Sequence, residues 1–393
     1  MRVRLLGWSV GLVAVVAVTA VLLYLLVFRR VPFGVDFFTF WTAARATFVE
    51  GISPYSPEVA RRGQLGILGR LSRPGEDQLA FVYPPYSLIL LWPVAFMPFM
   101  WARSIWFALH LWWLLGLIFV LGKDPPQMVV ATLPFLYPVA RNLILGQLSL
   151  SVMLVLLVAW VLLNSQRKTT MALGGAVMAW VTIKPQLTWL FIIVMLADAL
   201  RRRMAVWAWG GFGAGLLGFA ALGWWWVPGW PQMWLQQVAT YSGYHNPTFQ
   251  PVFVGLIGNV WSSAVAWILL GGGVVFFLLT AVRWWRGTCS RTALLVWAGV
   301  LTLAVHPTFA VADTVLVLLP LLTWWQEEQA GRVFRAVWAL FLVVPWLIFA
   351  WFIREGEPLE VSVAVLVMLV GWGTWLLWGA GRHSIPGAET ADT

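Results

Sequence analysis

Runs of about 18 or more apolar residues recur along this chain, and each is long enough to cross a bilayer as a helix. The first covers residues 5–28. The runs are continuous rather than alternating, so helices, not barrel strands, would satisfy the backbone in lipid. Of 393 residues, 61% are hydrophobic and only 10% are charged, so no water-soluble fold could cover the apolar surface. Many of the 30 tryptophans flank the runs, as at Trp112-Trp113, Trp224-Trp225-Trp226, Trp284-Trp285 and Trp324-Trp325, where amphipathic rings favour the headgroup level. The net charge of +10 is mostly arginine in short inter-helix segments. Topology and contact with anionic lipid explain it better than nucleic acid does. The one cysteine, Cys289, excludes an internal disulfide and a cysteine metal cluster.

Charge sets the expected topology. Arg2 and Arg4 place the N-terminus in the cytoplasm, and the first run is too long for a signal-peptide core, so it reads as a retained span. Residues 29–82 form a first extracytoplasmic loop, the longest polar stretch, opened by Asp36. Residues 83–100, broken by Pro84, Pro85, Pro93 and Pro98, read as a re-entrant or interfacial helix, followed by a span over 102–122. Residues 171–199 carry Lys184-Pro185 near their middle, between Arg167-Lys168 and Arg201-Arg202-Arg203. Basic residues at both ends predict a hairpin with short arms and a tip at Lys184; Pro185 suits the first turn of the second arm. The same pattern predicts tips near residues 142–147, between arms at 128–141 and 147–164, and at His306-Pro307. Spans at 205–226 and 258–282 flank an outer loop with Tyr244-His245-Asn246-Pro247, and the last spans are 334–353 and 359–380. The expectation is a single all-α integral membrane domain, 1–393, of about twelve spans, with both termini cytoplasmic and a disordered tail at 383–393.

Broken hairpins at membrane depth need a buried or water-filled surrounding, so the tips predict a cavity opening outward; ordinary tight turns are the plainer alternative. Lys184 is one of three lysines and lies just before a helix start. Ammonium and free N–H groups together make a phosphate cradle; a lysine snorkelling to the interface is the competing reading. Asp36 reads as a general base, with a salt bridge to a loop arginine as its alternative. No second acid and no histidine spacing beside it fits a metal site. His306 is placed to bind phosphate or move a proton. His245 and Asn246 are placed to meet an acceptor, whereas His110 and Asp313 read as structural.

Asp36, Gly51-Ile52-Ser53-Pro54-Tyr55, Phe81-Val82-Tyr83-Pro84-Pro85, Gly146-Gln147 and Ile183-Lys184-Pro185 follow one another in this order. Together they resemble glycosyltransferase family 87 of the GT-C superfamily, most clearly over residues 1–200. The family's usual asparagine soon after Gly-Gln is replaced here by Leu148-Ser149-Leu150-Ser151. The resemblance implies a multi-pass plasma-membrane enzyme taking a sugar, often mannose, from a polyprenyl-phosphate donor to a lipid-linked or glycan acceptor on the extracytoplasmic face. It implies Asp36 as catalytic base, with Lys184 and His306 at the donor phosphate; our reading adds Gln147 at the phosphate and sets Tyr83, Tyr55, His245 and Asn246 around the substrate cavity. The reading commits to an inverting transfer with no metal or other cofactor. A lipid or solute transporter with broken helices around a central site is the alternative; it would require two pseudo-symmetric halves.

Overall fold

In a computed structural model of the chain, the structure describes residues 2–30, 34–74, 76–121, 127–242, 259–305, 311–328, 331–352 and 360–379. Every regular element among the described residues is helical. The chain divides into two compact units, Met1–Pro185 with Met204–Asn246, and Gln186–Arg203 with Pro247–Thr393.

The first unit begins with α1 (Arg2–Leu23), which ends in a wide turn over Tyr24–Phe28. The loop expected at 29–82 instead carries two helices, α2 (Val35–Phe48) and α3 (Pro57–Leu68). α2 buries Phe37, Thr39, Phe40 and residues 42–44, so no polar face announces it. α3 carries ordinary stop and start signals: Ser56 accepts from the Val59 N–H, Pro57 opens the first turn, and left-handed Gly69 closes the last. The proline-broken segment after it is not one helix. It resolves into a 3-10 turn at Pro85–Leu90 and the short α4 (Trp92–Ala95), because each proline removes a helical N–H. α5 (Phe99–Leu121) returns along α1 through stacked Tyr24 and Trp101, and through the Trp112 indole donating to Thr19.

α6 (Gln127–Thr132) and α7 (Tyr137–Leu145) form the arm expected at 128–141, broken at Leu136 by a bend of 47°. α8 (Leu148–Leu163) returns, and α9 (Lys168–Trp180) leads through a 3-10 turn to Lys184. α10 (Pro185–Arg201) then starts at its proline, the first-turn position expected for Pro185. α11 (Ala205–Trp226) lies so close to α9 that a Cβ on Gly211 would sit 2.0 Å from the Ala172 carbonyl oxygen, a small-residue contact of the kind lipid-embedded helices use. The expected outer loop after it contains a further helix, α12 (Trp230–Ser242).

In the second unit, α13 (Asn259–Trp285), α14 (Arg291–Ala304), α15 (Leu318–Glu328), α16 (Arg332–Phe352) and α17 (Glu360–Gly379) join α10. α14 is buried from Thr292 to Ala304, as an all-round apolar helix must be, with Trp297 stacked on Phe276 of α13. Asp313 is buried in a 3-10 turn before α15.

Among the described residues, five helices are long and apolar enough to cross a membrane, and the bent α6–α7 pair makes a sixth if taken as one span. The expected dozen counted short arms such as α8 and α14, which fall below full bilayer length. The tip at His306, the segment with His245 and Asn246, and the tail at 383–393 lie outside the described residues.

Candidate active site

The start of α8 is a platform on which the polar groups converge. Asp36 is placed there by its neighbours. Phe37 is fully buried, stacked on Trp106 and Phe99, and anchors α2 in an aromatic core. Asp36 stands half-buried in the first turn, where the helix dipole favours a carboxylate. Gly34 precedes it at φ +84°, donating to the Ile144 carbonyl at 2.7 Å. A side chain on Gly34 would meet Arg103, which itself donates to the Phe28 carbonyl at 2.8 Å. Arg103 thus ties the end of the first span to the start of α2, a role sequence reading did not find.

Gly146 explains the Gly-Gln pair. It closes α7 at φ +69°, and a Cβ there would lie 2.5 Å from the Phe37 Cβ. Only glycine allows both that backbone conformation and that approach. The approach lets the next residue reach across 111 positions of sequence: the Gln147 amide donates to Asp36 Oδ2 at 2.9 Å. The same side chain accepts from the Leu148 N–H at 2.9 Å and caps α8. Asn142 fastens the junction from behind, accepting from the Leu150 N–H and donating to the Pro138 carbonyl.

Two residues into α8, Ser149 accepts a hydrogen bond from Lys184 Nζ at 2.6 Å. Lys184 is only 4% exposed, and its ammonium lies 5.9 Å from the centre of the Tyr83 ring. Desolvating an ammonium is costly, so such a lysine needs compensating partners, and the hydroxyl and the ring face supply two. Ser151 points the opposite way around the helix, to His110 Nε2 at 2.7 Å, while His110 Nδ1 faces the Trp106 carbonyl at 2.8 Å. His110 is therefore a satisfied structural group. The Leu-Ser-Leu-Ser sequence serves two sides of one helix, and Ser149 is the member that sequence reading overlooked.

Tyr83 and Tyr55 belong to the same wall. The Tyr55 hydroxyl donates to the Tyr83 carbonyl at 2.7 Å, and Tyr83 packs edge-on against Phe40 and Phe81. Burial pushes the Tyr55 phenol up, with Tyr86 adding to the effect, so it stays a donor. α12 closes on this wall through the Trp234 indole, which donates to the Val82 carbonyl, and through Tyr241, which donates to Asp77 at 3.1 Å. Burial, Asp77, Tyr83 and, least, Asp36 push the Tyr241 phenol up, so it stays a donor. Neither Tyr241 nor Asp77 carried a readable sequence signal.

A cavity of about 930 Å³ lies beside the platform, lined by Leu12, Val16, Leu109, Trp113 and Leu162 of α1, α5 and α8 and reaching Trp106, the ring stacked on Phe37. Among the described residues no group of three or more His, Cys, Asp and Glu side chains gathers.

Searches among curated proteins and among solved structures each return no match. The sequence profile of glycosyltransferase family 87 does match, over residues 81–307, more than half of the chain. That segment contains Tyr83, Gln147 and Lys184; Asp36 lies before it and is joined to it by the Gln147 hydrogen bond. The chain belongs to glycosyltransferase family 87 and is a membrane glycosyltransferase.

Proposed function

We propose that the protein transfers a sugar, mannose in our reading, from a polyprenyl-phosphate donor to a lipid-linked or glycan acceptor on the extracytoplasmic face, with inversion and with Asp36 as general base. The observation that carries this is the shared platform: a carboxylate and an ammonium are held by side chains two residues apart at one helix start. In this reading the acceptor hydroxyl gives its proton to Asp36 while its oxygen attacks the sugar's anomeric carbon. The bond from that carbon to the phosphate oxygen breaks, and its electron pair leaves with the lipid phosphate. The phosphodiester becomes a monoester and gains negative charge as it departs. Lys184 would stabilise that charge, the kind of contact that strengthens in the transition state. Gln147 holds the base in register with the cation. The apolar cavity along α1, α5 and α8 would take the lipid chain, and Tyr55, Tyr83 and Tyr241 would border the acceptor. Phosphate is already a competent leaving group, so no step asks for a metal.

The test is transfer from radiolabelled polyprenyl-phosphate sugars in membranes carrying the protein, scanning the sugar. A labelled lipid or glycan made from the mannosyl donor, persisting in EDTA, supports the proposal. Transfer only from a nucleotide sugar, or activity lost in EDTA and restored by manganese, overturns it.

A further inference from the structure

The second unit carries a basic cavity that the transfer reaction does not use. Its volume is about 490 Å³, and it is lined by Asp198, Arg201, Arg202, Trp284, Ser290 and Arg291, with Cys289 at its wall. That volume lies within the range of ligand pockets, about 300–1,000 Å³. The guanidiniums are built into place. Asp198, almost fully buried, sits 2.9 Å from Arg202 Nε and 3.3 Å from Arg291 Nη1. The Arg201 guanidinium lies 5.3 Å from the centre of the Trp284 ring, which is 2% exposed. Ser290 accepts from the Ala293 N–H and caps α14, so the amide end of a 14-residue helix faces the cavity wall.

Charge decides what fits. Three arginines line the cavity against one carboxylate. The same two segments add Arg203, Arg283 and Arg286 with no further acid. Planar guanidiniums on an aromatic face and around a fixed carboxylate are pre-set for a tetrahedral oxyanion, which they grip in bidentate fashion. Adjacent Trp285, 51% exposed, is the residue type that sits at the headgroup level of a bilayer. We propose that this cavity binds the phosphate group of an anionic membrane lipid, separately from the transfer site. Arg201 and Arg291 would clasp the phosphate, with Asp198 fixing Arg291 and Arg202 in place and the Trp284 ring backing Arg201.

The full-length protein is placed in nanodiscs of phosphatidylcholine alone or of phosphatidylcholine with phosphatidylglycerol, and in detergent with inorganic phosphate or chloride at equal ionic strength. Thermal midpoint, lipid retained in native mass spectrometry, and the rate at which a charged thiol reagent labels Cys289 are read together. Phosphatidylglycerol should raise the midpoint, be retained, and slow labelling of Cys289. Arg201→Gln should cut the apparent affinity about tenfold, the scale of one charge-assisted hydrogen bond, read as the lipid-induced shift from the variant's own midpoint in pure phosphatidylcholine. Arg201→Gln with Arg291→Gln should abolish the effect. Arg335→Gln, the same charge change away from the cavity, should keep it. Equal protection by inorganic phosphate, lost in the same variants, would keep the phosphate site and assign it to the free ion. Full protection in both arginine variants, equal loss in Arg335→Gln, or no effect of either anion on the native protein would overturn the proposal.

Discussion

Two polar regions of the first unit hold their charges in different settings. Along residues 50–77, carboxylates meet guanidiniums in the open: Glu58 pairs with Arg61 at 2.6 Å and Arg62 at 2.8 Å, and Glu76 pairs with Arg70 at 2.7 Å. At the start of α8 an amide donates to Asp36 and a hydroxyl receives Lys184, which is almost fully buried. An exposed ion pair neutralises charge in high dielectric and contributes little. The hydrogen bonds from Gln147 and to Ser149 fix two ionisable groups at one helix start. The first arrangement shapes a surface; the second holds a carboxyl and an amine where the proposed reaction needs a base and a cation.

The contrast is broken or sharpened by substitution. Asp36→Asn keeps shape and hydrogen bonding but removes basicity, and turnover should fall by about 10²–10⁴-fold, the scale of general-base loss. Steady-state transfer of labelled sugar measures it. Lys184→Met keeps length and removes the charge; single-turnover transfer should slow by about 10²–10³-fold with weaker donor binding, the scale of one electrostatic contact to developing charge. Gly146→Ala forces a side chain into a left-handed position and against Phe37. It should lower stability by about 1–3 kcal/mol in a thermal melt and loosen the Gln147 contact with Asp36.

The smallest effects belong to the exposed region. Glu58→Gln and Glu76→Gln should leave turnover unchanged. Arg61 and Arg62 hold the Glu58 carboxyl down to about 2, and Arg70 holds that of Glu76 down to about 2, from an ordinary 4.5. Their stabilising contribution is therefore complete above about pH 4.5 and fades as pH falls towards 2. Protection factors for amides over residues 50–77, observed exchange divided into the intrinsic rate at each pH, should fall across that acid window and stay level above it. Protection factors that instead fell between pH 6 and 8 would contradict the pairing.

Much of this architecture was written locally. Length and continuous hydropathy marked α1, α5, α11, α16 and α17, and the basic flanks with Lys184-Pro185 marked the α9–α10 turn. α2 was not legible because it is buried around most of its circumference and shows no amphipathic period. α3 was legible in its Ser56-Pro57 cap and Gly69 stop, but its polar composition read as loop. Asp36 and Lys184 stood out as charges in an apolar chain. Their pairings did not: Gln147 read as a donor-phosphate residue and not as the partner of Asp36, 111 residues away, and Ser149 is 35 residues from Lys184, separations that only packing can close. Ser149 looked like one small residue in a leucine run, and Arg103 like a stray charge at a span's start.

The central claim is that the base serves the acceptor and the cation serves the donor. The direct measurement is donor affinity and single-turnover rate for Asp36→Asn and Lys184→Met, in nanodiscs, on one batch of polyprenyl-phosphate mannose. Asp36→Asn should bind the donor as the native protein does and lose its rate; Lys184→Met should lose both affinity and rate. An Asp36→Asn protein that lost donor binding and kept its rate, or a Lys184→Met protein changed in neither, would contradict the account.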